Sequence, residues 1–85
     1  VILSTASLYP WATWTEGRET LLDDMRLRIS KRALVNGWVV GGTELIEIIP
    51  IHLDDNPHVV TNRWVSSSEE NATHVKVTIE QEVVE

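Results

Sequence analysis

The chain contains no cysteine and no phenylalanine, one methionine and three prolines. Without cysteine there can be no disulfide framework, no thiolate nucleophile and no cysteine-based zinc site. Small secreted domains often rely on disulfides, so this absence favours an intracellular or assembly context without fixing a compartment. Basic residues are scarce, 7 against 13 acidic, and the net charge is −6. That balance disfavours binding to nucleic acid or to anionic membranes, where a basic surface supplies most of the affinity. No apolar run approaches the roughly 18 residues of a transmembrane helix. The chain opens at Val1 with no signal-peptide pattern, as a processed product or an excised domain would.

Signatures of catalysis are missing too. There is no Gly-x-Ser-x-Gly, and Gly41-Gly42 lacks the spacing of a dinucleotide or phosphate loop. The acidic pairs Asp23-Asp24, Asp54-Asp55 and Glu69-Glu70 are adjacent, and neighbours on a strand point to opposite faces. His52 to His58 gathers two imidazoles and two carboxylates, but Asp54-Asp55-Asn56-Pro57 between them reads as turn chemistry. The expectation is a protein that is not an enzyme and uses no metal and no cofactor. Asn71-Ala72-Thr73 fits the glycosylation acceptor pattern, which arises often by chance.

What is present is a single small domain, residues 1–85, with 42% hydrophobic residues. A domain of this size buries roughly 60–65% of its unfolded surface, so its core is thin. Asn36-Gly37 between apolar runs signals a tight hairpin, because both residues tolerate positive φ. Folding about that dipeptide sets Val35 against Trp38, Leu27 against Ile46, Met25 against Ile48 and Arg26 against Glu47. Such matched cross-strand pairs stabilise antiparallel strands. Further strands are predicted at Val1–Tyr9, Thr43–Leu53, Val59–Val65 and Thr73–Val84, with the Thr43–Leu53 strand buried on both faces. Gly41-Gly42 reads as a bulge or a bend relieving twist in a long hairpin, and Pro50 as a bulge or an edge. The fold expected is therefore all-β, a small antiparallel barrel or sandwich of five to six strands. The alternative is α+β, one helix at about 18–35 packed on a four-stranded antiparallel sheet. Its support is Leu21, Leu22, Met25, Ile29 and Ala33 on one helical face, a Thr20/Asp23 capping box and Gly37 as a C-cap.

Four Trp and one Tyr supply the aromatic surface. Tyr9, Trp11 and Trp14 fall within six residues of the N-terminal segment 1–17, which could act as an interaction arm. With Trp64 they are the candidate binding residues. The segment either pins itself over its own sheet, anchors into a neighbouring subunit, or forms a stacking platform for sugar. Trp38-Val39-Val40-Gly41-Gly42-Thr43 is similar to the first hairpin loop of cystatin-type protease inhibitors, with Trp38 in place of Gln and Gly41 in place of Ala. That likeness spans six residues and carries no family assignment. The functional expectation is a non-catalytic protein–protein assembly module, a structural subunit of a larger particle such as a virion or a homo-oligomer. A carbohydrate-binding module is the alternative.

Overall fold

A computed structural model describes residues 1–54 and 63–85. The chain runs β1 (Ile2–Pro10), α1 (Trp11–Asn36), β2 (Val39–Asp54), β3 (Arg63–Ser66) and β4 (His74–Val84). The strands form one antiparallel sheet in the order β1-β4-β2-β3. An all-β barrel or sandwich of five to six strands does not form. Among the described residues the architecture is the α+β alternative, one helix on a four-stranded antiparallel sheet.

The expected hairpin about Asn36-Gly37 is replaced by a helix end. Gly37 alone adopts positive φ there, 73°, whereas a type I′ turn needs it at both residues. The Trp38 amide donates to the Ala33 carbonyl at 2.9 Å and the Gly37 amide to that of Leu34 at 3.1 Å. This pair of bonds is a Schellman cap, completed by Trp38 packing against the core beside Ala33. The positive-φ tolerance that suggested a turn instead stops a helix.

Period 3.6 wins over period 2 because it buries more. Leu22, Met25, Ile29 and Ala33 follow one helical face, and all are buried. The price is the outer face: Leu27 stays 52% exposed and Leu34 79%. The helix also starts earlier than the sequence suggests. Trp11 to Gly17, within the segment expected as an interaction arm, forms its first limb, with a break at Gly17 (φ −141°, ψ 35°). The main limb after that break matches the predicted span of about 18–35. No Thr20/Asp23 cap operates, because Pro10 is the N-cap and makes no side-chain bond. Instead the Trp11 amide donates to the Thr73 carbonyl at 3.0 Å, pinning the helix start to the chain entering β4.

The core lies between this helix and the β1–β4 half of the sheet. It comprises Leu3, Trp14, Leu22, Met25, Ile29, Ala33, Val75, Val77, Ile79 and Val83. Val75, Val77 and Ile79 alternate along β4 as the sequence predicts. β2 contributes nothing to this cluster among the described residues, so its expected burial on both faces does not occur. Asp55, Asn56 and Pro57 of the predicted turn, His58 and most of the predicted Val59–Val65 strand lie outside the described residues.

Candidate functional site

The directions of single backbone groups define the open edge of β2. The Ile51 carbonyl accepts from the Thr73 amide at 3.0 Å, so Ile51 turns its polar groups toward β4. The Pro50 carbonyl accepts from the Ser67 amide at 3.0 Å, on the opposite edge. Polar groups alternate along a strand, so Glu44, Ile46 and Ile48 aim their N–H and C=O away from β4. The ladder to β4 runs without a shift from Glu44 to Ile51. β3 pairs only with Ile51 to Asp54. Among the described residues, no strand pairs with this edge from Glu44 to Ile48. Pro50 bounds the stretch, and its missing N–H falls on the side turned away from β4, so no bond of the β2–β4 ladder is lost.

The side chains flanking that edge are apolar on both faces. Leu45 is 61% exposed on the face away from the helix, and Ile46 and Ile48 are 38% and 45% exposed on the helix side. α1 sits mainly over β1 and β4 and leaves Ile46 and Ile48 of β2 partly exposed. Glu44 is neutralised: its carboxylate accepts from Arg26 Nε at 3.1 Å and Nη2 at 3.0 Å. Arg26 also holds Asp23 at 3.0 Å. The Glu44 hydrogen bond, followed by that of Asp23, raises the guanidinium pKa. The expected partner of Arg26 was Glu47; the helix turns Arg26 toward Glu44 instead.

At the other end the edge stops in a bulge. Gly41, Gly42 and Thr43 together stand opposite Glu82, between the Val40–Val83 and Glu44–Gln81 pairs. Gly42 has φ 79°, and a Cβ there would collide with the Glu82 carboxylate. Glu82 Oε2 accepts from the Thr43 amide at 3.2 Å, and buried Gln81 donates through Nε2 to the Gly41 carbonyl at 3.1 Å. The segment likened to a cystatin hairpin loop is therefore an interruption within one strand.

The sheet's other edge differs. The Val83 amide donates to the Val1 carbonyl, so odd residues of β1 face β4 and even ones face outward. The outward Ser4 carbonyl is occupied by Arg32 Nη1 at 2.7 Å. Arg28 Nη2 reaches Ser7 Oγ at 2.9 Å beside it. Charged side chains over an edge discourage strand addition. β1 is thus guarded, whereas no described residue covers the edge of β2 from Glu44 to Ile48.

Tyr9, Trp11 and Trp14 do not form one exposed surface. Trp14 is buried in the core, stacked on Tyr9 with ring centroids 6.3 Å apart, and Arg18 lies 5.5 Å from its ring centroid. Tyr9 accepts from Arg28 through its hydroxyl at 3.3 Å, and Trp11 packs partly buried against the core. For Trp64 only the backbone is described, paired with Leu53. Two shallow depressions, of about 300 and 130 Å³, lie open on the sheet near Leu45 and Glu80, and neither encloses a reaction space. No group of three His, Asp or Glu converges among the described residues. The β2 edge escaped the sequence reading because Thr43–Leu53 has apolar residues on both alternating faces, which reads equally as a buried strand.

Compared with known protein families, curated proteins and solved structures, the chain shows no significant match.

Proposed function

We propose that this domain is a non-catalytic assembly module, a subunit that joins a protein partner by accepting a strand along the edge of β2. The observation that carries this reading is the stretch from Glu44 to Ile48, unpaired among the described residues, with exposed apolar side chains on both sides. Strand addition draws affinity from main-chain hydrogen bonds and specificity from alternate side chains, and this edge offers both. An open edge flanked by exposed apolar side chains is an aggregation hazard in solvent, which favours a use for it. The molecule's shape supports the same reading. Its radius of gyration is 15.5 Å, where a compact chain of this length has about 12 Å.

The test is sedimentation velocity over rising concentration, together with a pull-down using the wild type and Ile46→Lys as baits. Ile46 is exposed enough for lysine to be accommodated without unfolding. The expected result is association of the wild type, with itself or with a captured protein, that Ile46→Lys loses. The reading falls if the wild type stays monomeric and captures only proteins that Ile46→Lys captures equally well.

A further inference from the structure

We infer that the outer face of α1 joins a second copy of this chain, helix against helix, antiparallel about a twofold axis between Leu27 and Arg28. This surface is separate from the β2 edge, which stays open in both copies. It lies opposite the core. Thr20, Asp24, Leu27, Lys31 and Leu34 run along it, and all five are exposed. Their spacing, alternately four and three residues, is the 3.5-residue repeat of a two-helix seam. The helix packs on β1, β4 and β2 through the side that carries Met25 and Ile29, and no described element stands over the seam.

Charge argues for a second copy as the occupant. From Glu16 to Met25 the helix carries four acidic residues and one basic; from Arg26 to Asn36 it carries four basic and none acidic. A second copy laid antiparallel sets each acidic half against a basic half, whereas a parallel one opposes like charges. The helix dipoles favour the same orientation. On the seam itself, Asp24 and Lys31 make no hydrogen bond or ion pair among the described residues, in contrast to Asp23, which Arg26 holds. In the pair, Asp24 reaches Lys31 of the second copy, and Lys31 reaches its Asp24.

The ends of the helix set the register. Its main limb runs from the break at Gly17 to the cap at Gly37, about 28 Å. Leu27 is the midpoint, so an axis beside it overlaps the two limbs along their whole length. Leu27 then meets Leu27 across the axis, and Leu34, 79% exposed, lies against Thr20 and Leu21 of the second copy. Moving the axis by half a heptad toward either end sets Lys31 against Lys31 or Asp24 against Asp24.

Such a contact is isologous, so it closes at two chains. Its apolar content is small, chiefly Leu27, Leu34 and Val35, and its ion pairs are exposed. The dimer is therefore weak, at the low end of specific interfaces. Joined this way, the two sheets lie on the outside of the pair and present two β2 edges to other proteins.

Sedimentation velocity on charge-reversed variants tests this. The wild type is expected to pass from monomer at about 10 µM to dimer at about 1 mM. Asp24→Lys and Lys31→Asp each set like charges across the axis, and each is expected to weaken the dimer about tenfold or more. Mixed in equal amounts they regain opposite charges and are expected to form a heterodimer as tight as the wild-type dimer. Because the chain has no cysteine, crosslinking gives a second reading. Leu27→Cys, beside the axis, is expected to form a disulfide-linked dimer about tenfold faster than Leu34→Cys, whose two copies lie about 20 Å apart. A wild type monomeric at every concentration, a mixture no tighter than its components, or equal crosslinking of the two cysteine variants would each overturn the proposal. The β2 edge can fail separately. Ile46→Lys is expected to dimerise as the wild type does, leaving captured proteins to judge that edge. A dimer lost in Ile46→Lys and kept in Asp24→Lys removes the helix contact and leaves the assembly reading standing.

Discussion

Met25 and Leu27 separate the helix from the hairpin by energetics alone. On a strand, residues two apart share a face, so both would pack against β2 and truncating either would cost similar amounts. On the helix they part: Met25 is fully buried against the sheet, while Leu27 is 52% exposed. Met25→Ala removes a buried side chain and leaves a cavity, which costs about 2–5 kcal/mol. Leu27→Ala loses no more than half of a leucine's burial, about 1 kcal/mol, and recovers a few tenths through alanine's helix propensity. An 85-residue domain has about 4–13 kcal/mol of stability in total. The first variant should therefore lower the melting temperature by at least about 8 °C, the second by a few degrees at most. Urea unfolding followed by tryptophan fluorescence reads both, since Trp14 lies in the core. The midpoint should move with an unchanged denaturant slope. Equal losses for the two variants would refute the helical assignment and everything built on it.

Gly42→Ala should destabilise by about 1–2 kcal/mol, because the new Cβ meets Glu82 at a backbone φ of 79°. Gly41→Ala, where nothing stands within 4 Å, should stay within about 0.5 kcal/mol of wild type in the same denaturation assay. Arg32→Ala should change stability little but raise the rate of aggregation measured by light scattering, since it uncovers the Ser4 carbonyl on the β1 edge. The raised pKa of Arg26 fixes the sign of its pH effect. Its contribution is fully present below the unfolded-state pKa and is lost only as pH rises through the folded value in strong alkali. The stability difference between wild type and Arg26→Met should therefore be the same at about pH 6 and about pH 9, and a difference that shrinks across that range would contradict the assignment.

The sequence revealed strands more readily than it revealed the helix. β4 was legible because Val75, Val77 and Ile79 alternate with Lys76, Thr78 and Glu80, and one apolar face is what a half-buried strand requires. The helix was harder because Leu27, Leu34 and Val35 blur its apolar stripe and because Asp24 to Ser30 also alternates without a fault. Asn36-Gly37 added to the ambiguity, since positive φ serves a turn and a C-cap equally. The bulge at Gly41-Gly42 was readable as such; that Gln81 and Glu82 hold it was not, since they are remote in sequence. The β2 edge could not be seen at all. An edge is defined by which strand does not arrive, and that depends on β4 inserting between β1 and β2.

That insertion governs how the chain can come together. The strand latest in sequence occupies a central place in the sheet, so β1 has nothing to pair with, and β2 nothing beyond its short ladder with β3, until residues 74–84 reach them. Closing so long a loop is slow, and a folding route dominated by distant contacts should take milliseconds or longer. Until then two apolar ribbons wait side by side without their common neighbour. The time this protein is most open to capture, by a sister chain or by a chaperone, is its own synthesis.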